Sequence, residues 1–409
     1  MNRVLQEFIN NTFFKYLIFT LIFGLLLYGT IGFDGIDEIC ALMLIVFFGY
    51  VIFKTEGWYV NKSFLVISAI FIFYLCYSFY IGSNTKKAII SDFIIQFKPY
   101  LAFFAVYYLK PRFSNNQKSI LRIICFIFWL ILLFLGVLSV FIPRIIDALM
   151  FHVAFFAASV IAVSFLFYYC RGNTKKDRLI FILMLSVGLF STRSKFYGFY
   201  LLALILTLYS PYIKNLKINA KTIIAFLLIV AGLVLVGWQK LDLYFAISGD
   251  AEDVETGLLA RMMLYVTSLD VLVDYFPFGS GFASFASYSS GVYYSPLYAK
   301  YGIDKIWGMN SVDYSYIADT YYPCLAQFGV VGILLFIYFF FFVAHKTYQI
   351  FKLNQNPKNL VIALLITGYF LIESIADATF TGHRGFFMMI ILGLLFSDRD
   401  EKQNKVSTF

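Results

Sequence analysis

Charge is what this chain of 409 residues has least of. Asp, Glu, Lys and Arg make up 13% of it, about half the share that ordinary soluble domains carry, and that scarcity excludes a water-soluble globular protein. Histidine is rarer still: His152, His345 and His383 are the three in the whole sequence. Neither a His-Glu-x-x-His pattern nor a clustered aspartate motif occurs, so no metal site is expected. The five cysteines, Cys40, Cys76, Cys125, Cys170 and Cys324, stand singly in or beside apolar runs. They lack the paired spacing of a zinc site or a disulfide framework and read as small core residues. Nothing in the sequence calls for a cofactor.

What is there instead is hydrocarbon. Hydrophobic residues reach 61% and mean hydropathy is +0.81, which together describe a polytopic integral membrane protein built of α-helices. A spanning helix needs roughly 20 mostly apolar residues, and twelve stretches meet or approach that length: 14–33, 36–53, 64–82, 88–109, 119–142, 150–170, 178–192, 195–210, 222–241, 321–344, 359–379 and 384–397. The first lacks a small-residue cleavage site after it and is expected to be a spanning helix rather than a removed signal peptide. Phe and Tyr, 50 and 31 in number, suit interfacial belts.

The formal charge of +9 is a record of topology, not of nucleic-acid binding. Of the 32 Lys and Arg, 21 fall on alternate connections from Arg3 to Lys405, which places those connections and both termini in the cytoplasm by the positive-inside rule. The same rule puts the segment 242–320 outside. The chain thus divides into a bundle of nine helices over 1–241, a large external loop over 242–320, and three helices with a cytoplasmic tail over 321–409. The loop holds ten of the 23 carboxylates but three basic residues, Arg261, Lys300 and Lys305. It is too aromatic to be disordered and is expected to fold on the outer face of the bundle.

Within the loop, 258–273 has apolar residues at helical spacing (Leu259, Met262, Met263, Val266, Leu269, Leu272) and reads as an amphipathic helix at the membrane face. Arg261 and Tyr265 share one face of it. Pro277, Gly279 and Gly281 then punctuate a tight turn, with Asp274 ahead of it as a turn cap or as a site residue. Downstream lies a Tyr-rich stretch, Tyr288 to Tyr316, followed by Asp319.

This order of features resembles the bacterial O-antigen polymerase/ligase superfamily. The loop motif of that family, Arg-x-x-x-Tyr followed by Asp-x-x-Pro-x-Gly-x-Gly, is matched by Arg261, Tyr265, Asp274, Pro277, Gly279 and Gly281, and its upstream Thr/Ser-x-Ser-Arg motif loosely by Thr192-Arg193-Ser194-Lys195. Lys195 stands where arginine is usual and Phe196 where a small residue is usual. The match covers mainly 180–340. Ligases of the superfamily carry a His-Asn or His-Ser pair ahead of the helix after the loop, and here that place is Ala318-Asp319-Thr320, which favours the polymerase branch.

The resemblance implies a polymerase that moves a growing glycan from its polyprenyl diphosphate to a sugar hydroxyl of the incoming unit. Membrane lipid and a chain-length regulator are the implied partners, with no nucleic acid. Such chemistry asks for cations to stabilise the departing diphosphate and a base near the acceptor hydroxyl. Arg261 and Arg193 are the first candidates for the diphosphate, followed by Lys195, Arg384 and Lys98, the last either functional or paired with Asp92 or Glu373. His383 reads as interfacial or hydrogen-bonded to a neighbour, with a role in the site as the other alternative. Asp319 is the first candidate base and Asp313 the second. The tyrosines suit sugar faces, and equally suit packing of the loop onto the bundle. Two other classes remain: a ligase with a lipid A core or another acceptor, and a lipid-linked oligosaccharide flippase. The two halves of the chain show no internal similarity of the kind transporters carry.

Overall fold

The computed structural model describes residues 3–33, 35–55, 62–212, 256–354 and 357–397. Every regular element among them is a helix. In order these are α1 (Arg3–Leu21), which continues into a π turn (Ile22–Leu26), α2 (Tyr28–Ile31), α3 (Ile36–Lys54), α4 (Lys62–Ile81), α5 (Lys86–Leu109), α6 (Asn115–Phe141), α7 (Ile145–Met150) and α8 (Val153–Tyr169). Then come α9 (Lys175–Ser186), a 3-10 turn (Val187–Ser191), α10 (Ser194–Tyr209), α11 (Thr256–Asp274), α12 (Tyr288–Val292) and α13 (Leu297–Lys300). A second 3-10 turn (Pro323–Phe328) leads into α14 (Gly329–Asn354), followed by α15 (Pro357–Glu373) and α16 (His383–Ser397).

Among the described residues, six helical stretches are long and apolar enough to cross a membrane: Arg3–Leu26, Ile36–Lys54, Lys62–Ile81, Lys86–Leu109, Asn115–Phe141 and Pro323–Lys352. The apolar α8, α10 and α16 are shorter. The expected helix at 222–241 and the first part of the loop, 242–255, lie outside the described residues. Several boundaries differ from the hydropathy reading: 321–344 is a 3-10 turn and a helix that runs on to Asn354, and the helix expected over 359–379 ends at Glu373. The first helix starts at Arg3 rather than residue 14, because the polar Asn10, Asn11 and Gln6 are accommodated by hydrogen bonds to the 110–117 connection. The stretch 178–192 breaks into a helix and a 3-10 turn, which shortens α9.

Burial divides the bundle into pillars and fence. All of α16 is buried, as is nearly all of α8, and α16 lies along α5. By contrast α4 buries Tyr74 and Ser78 alone, and α6 exposes a broad face of Ile, Phe and Val. An apolar face left open on helices of spanning length is the expected condition in lipid, where Leu meets a solvent as apolar as itself. Four of the cysteines are buried as expected, but Cys76 is exposed on α4.

The loop does more than cap the bundle; it is threaded into it. Gly279 and Gly329 lie back to back with φ of +77° and +64°. A Cβ on Gly279 would come within 2.2 Å of the Gly329 nitrogen, and one on Gly329 within 2.2 Å of the Pro277 oxygen. Hydrogen bonds fasten the same turn from the tops of α4 and α5: Tyr77 Oη donates to the Gly279 oxygen (2.9 Å), and the Ala283 N–H donates to the fully buried Asp92 (2.7 Å). Gly281 donates to the Gln327 oxygen (2.8 Å). The Pro-x-Gly-x-Gly motif is therefore a backbone clamp that joins α4, α5 and the entry to α14. Tyr298, Phe282 and Phe285 are fully buried beneath it.

The amphipathic helix is present as α11, but its protein-facing stripe is Ala260, Leu264, Thr267 and Val271. Leu259, Val266 and Leu269 of the apolar face expected from the sequence are exposed, as is Val273. Small residues let α11 lie close against Pro323–Phe328 and α14, and the bulky ones remain for a non-protein apolar phase.

Gly279→Ala is expected to destabilise the protein by about 1–3 kcal/mol, the usual range for a strained backbone position, with further loss from the clash. Gly198→Ala, on α10 with open space at its Cβ position, is expected to be neutral or slightly stabilising. Thermal unfolding of the two variants in detergent checks the contrast, and equal melting temperatures would contradict the clamp.

Candidate functional site

Three separate parts of the chain deliver four cations to one place. After α9 the 3-10 turn reverses the chain sharply, because Gly188 leaves room for the Phe196 ring, whose nearest atom would lie 2.0 Å from a Cβ there. Thr192 follows in the left-handed region (φ +53°), so Arg193 stands at the N-terminus of α10 and Lys195 in its first turn. The segment after α15 is held from the loop: Tyr265 Oη donates to the Ile375 oxygen (2.7 Å) and the Tyr321 N–H to the Ser374 oxygen (3.1 Å). That segment carries Asp377 and leads to Arg384 in the first turn of α16.

The charges interlock. Arg193 faces Glu373 with both terminal nitrogens (3.3 and 3.2 Å) and reaches Asp377 at 3.5 Å. Lys195 Nζ lies 2.9 Å from Glu373 and donates to the Ala376 oxygen at 2.9 Å. Arg384 grips Asp377 with two parallel bonds of 3.0 and 2.7 Å. Beside this cluster, Arg261 on α11 donates from Nε to Asp319 (2.6 Å) and pairs with it through a terminal nitrogen as well. Its guanidinium lies over the Tyr316 ring, 5.7 Å from the centroid. Among the described residues, Arg193, Lys195 and Arg384 meet two carboxylates, Glu373 and Asp377, and Arg261 meets Asp319.

Two carboxyls respond in opposite directions. Burial pushes Asp377 up, but Arg384, Lys195 and Arg193 together outweigh it and hold the carboxyl well below its ordinary range. Asp319 is also pushed up by burial, and there burial wins over Arg261, with the negative charge of Asp377 adding to the rise. Asp319 is thus a carboxylate more basic than usual, facing a guanidinium.

Helix ends add to the positive field. The rings of His383 and Phe155 meet edge to face at 4.6 Å, and the Arg384 guanidinium lies 5.2 Å from the Phe155 centroid, so the first turns of α8 and α16 adjoin. With α10 starting at Ser194, three N-termini, each an end of partial positive charge with N–H groups to donate, adjoin the cluster. Ser191 Oγ, Thr320 Oγ1, Ser374 Oγ, Thr379 Oγ1, His383 Nε2 and Arg384 Nε are buried there without a hydrogen-bond partner among the described residues. Buried polar atoms are usually paired, and these six stand on the segments that carry the charge cluster.

Of the residues singled out from sequence, the fold brings together Arg193, Lys195, Arg261, Arg384 and Asp319, with Tyr265 as a tether. His383 adjoins them but is stacked on Tyr28 at 3.7 Å. The others lie elsewhere. Lys98 on α5 pairs with Asp37 and, at 2.8 Å, Glu38 of α3, not with Asp92 or Glu373, which are engaged by Ala283 and by Arg193 with Lys195. Asp313 accepts from the Ser315 N–H within a turn. Asp274 is exposed and bonded to Lys300 (2.9 Å) and Tyr301 (2.8 Å), and the Lys300 bond holds it below its ordinary pKa. Pro277, Gly279 and Gly281 form the clamp. Sequence reasoning passed over Asp377 and treated Glu373 as no more than a possible partner. The signal was available: two carboxylates four apart in an apolar stretch are costly unless paired.

Comparison with known proteins returned no match, either to a family model or to a curated sequence. The site therefore has to be interpreted from its own chemistry.

Asp377→Asn leaves Arg384 without its carboxylate in a buried setting, a change expected to cost about 3–5 kcal/mol. Asp377→Asn combined with Arg384→Gln is expected to recover part of the loss. Thermal unfolding of both variants checks this, and a single variant as stable as the native protein would contradict the pairing.

Proposed function

We propose that the protein is a polymerase of polyprenyl-diphosphate-linked oligosaccharide repeat units, O-antigen or capsular, working without metal at the external face of a bacterial inner membrane. The observation that carries the reading is the convergence of Arg193, Lys195, Arg261 and Arg384 beside adjoining helix N-termini, where the first two and Arg384 outnumber, among the described residues, the two carboxylates that hold them. A diphosphate is the polyanion such a basin suits: guanidinium forks match its oxygens in pairs, and helix N-termini donate to phosphate. The resemblance in the 180–340 region supplies the reaction.

In this reading the chain spans the membrane about twelve times with both termini in the cytoplasm. The helices that end at the basin are short. The 15 residues of α16 rise about 22 Å against a hydrocarbon thickness of about 30 Å, so the basin is recessed below the outer surface. A recessed, partly dry basin strengthens each charge interaction within it.

Glycan transfer breaks the bond between the donor's anomeric carbon and the diphosphate oxygen, which leaves with the electron pair. A bond forms from the acceptor hydroxyl oxygen to that carbon, and the hydroxyl proton passes to Asp319. Before donor binding, Arg261 is occupied by Asp319. An arriving diphosphate competes for the guanidinium, and an Arg261 that turns to phosphate frees Asp319 to accept a proton. Its raised pKa suits a base near neutral pH. The exposed Trp307, packed 5.6 Å from Tyr316, offers a face for the acceptor sugar on the side of Asp319. A chain-length regulator would act on the exposed loop.

Two measurements test this. In a background with Cys76→Ser, a cysteine at Val312, which is 91% exposed, should react with a membrane-impermeant thiol reagent in permeabilised-outer-membrane cells. One at Lys176 should react only after lysis, and the reverse pattern would overturn the orientation. For the chemistry, Arg261→Ala and Arg193→Ala should each lower polymerisation by roughly 10²–10³ at normal abundance, with Lys at either position rescuing in part. Asp319→Asn should remove the acid limb of the pH–rate profile, which in the native enzyme should lie above the ordinary aspartate value of about 4. Normal glycan ladders from both arginine variants would sink the proposal. Transfer to a lipid A core acceptor in place of chain growth would assign the ligase.

A further inference from the structure

Lys98 takes no part in the basin, and its own surroundings do not balance. It stands twelve positions after Lys86, which opens α5, and the start of α3 lies beside it: Nζ pairs with Asp37 and, at 2.8 Å, with Glu38. From that level the two helices run side by side in one direction, since the Phe48 and Tyr108 rings meet at 5.2 Å. The first part of α5, about 18 Å at 1.5 Å per residue, therefore continues past the start of α3. Lys98 and Asp37 are each 3% exposed, and Glu38 is half-buried.

One ammonium here faces two carboxyls, so with every group ionised the triad carries a net negative charge where little water can solvate it. A charge of that kind is costly. Two oxygens show where the deficit falls: among the described residues, Asp37 Oδ1 and Glu38 Oε2 are buried without a hydrogen-bond donor. Yet the two carboxyls stand within hydrogen-bonding reach of one another, held there by the ammonium that bonds both. Two carboxylates offer acceptors alone, and so close together they do not both stay ionised. A proton on either makes one a donor to the other. A metal cation asks for more oxygens than these and would stand beside an ammonium, and no third ligand completes a metal set among the described residues.

We propose that Asp37 and Glu38 hold one exchangeable proton between them, which brings the triad with Lys98 to neutrality and leaves by the open side of Glu38. The O–H forms on one carboxyl and donates to the other, and the proton belongs to the pair. The neighbouring titratable groups do not supply it. Cys40 on α3 feels all three charges, Tyr16 on α1 already donates to the Cys40 oxygen (3.1 Å), and the His383 ring on α16 is stacked on Tyr28.

The site also bears on the basin. Helix α16 lies along α5, Phe380 just before it meets Tyr100 at 5.6 Å, and the charge of Lys98 acts on His383, the neighbour of Arg384. When the proton leaves, a neutral triad turns negative near the start of α16 and opposes an anion at Arg384. That second step rests on the proposed function; the proton site does not.

Infrared difference spectroscopy of the full-length protein in detergent reads the proton directly. At neutral pH the native protein should show a protonated-carboxyl C=O band that shifts in heavy water and is missing from both Glu38→Gln and Asp37→Asn, since either amide leaves one carboxylate facing one ammonium. The folded state then binds a proton that the unfolded chain has released, so native stability should fall as the pH rises and the band fades. In Glu38→Gln that part of the pH dependence of thermal unfolding should be gone. Lys98→Met, which removes the charge that favours ionisation, should keep the band to higher pH and serves if neither amide variant folds. A native spectrum without the band, a band unchanged in all three variants, or a melting temperature set by sodium rather than by pH would overturn the proposal. For the basin, inorganic pyrophosphate should lose severalfold more affinity with rising pH in the native protein than in Glu38→Gln, and equal losses would overturn the link. A native protein that binds no pyrophosphate would overturn the diphosphate basin instead, and the infrared band would still decide the proton site.

Discussion

Asp377 is the interaction on which the site depends. Arg384 holds it with two bonds and Arg193 approaches from another helix, while Glu373, four residues earlier, holds Arg193 and Lys195. Three cations this close in a poorly solvated setting repel strongly. Two carboxylates on one short segment make their approach possible and, among the described residues, leave part of the charge uncompensated. The same segment links α15 to α16, so the geometry of the cations is set by where those two helices end. A basin assembled this way is ready for an anion before the anion arrives, which is the condition for stabilising charge that develops on a leaving group.

The loop clamp decides whether Asp319 can join that basin. Gly279 and Gly329 permit a backbone approach that any side chain would block, and Asp92 fixes the chain just past the turn. From this anchor the loop returns through Tyr316 and Asp319 to Tyr321, which is bonded to Ser374. The motif that first drew attention to the loop therefore acts at a distance. Its glycines touch no charged group of the basin; they determine the level at which Asp319 and Tyr321 lie.

Much of the frame was legible from hydropathy, since lipid demands long apolar helices with their hydrogen bonds satisfied internally. The starts of α3, α4, α5 and α16 fall within two residues of the positions read from sequence. Arg193, Arg261 and Asp319 were legible as candidates because ionisable residues are conspicuous among so few. Their partners were not. Arg261 and Asp319 are separated by 58 positions and Arg193 and Glu373 by 180, and no local pattern encodes a pairing across that distance. Lys98 shows the same limit from the other side: its cost in an apolar helix was evident, yet its partners, Asp37 and Glu38, lie near the start of a helix two elements earlier. On α11 an apolar helix was recognisable, but which stripe meets protein was not, because lipid and protein both accept Leu and Val.

By itself the sequence determined that the protein is helical and bears long apolar segments, that its charges are too few to be incidental, and that a glycine-bearing turn follows α11. Each of these is a property of a residue or a short window, set by hydrophobicity, backbone freedom or the cost of a bare charge. The tertiary structure alone decided that Asp377 and Glu373 gather three cations and that Asp319 faces Arg261. Those facts depend on where helix ends meet, and helix ends meet where packing and charge balance over the whole chain place them.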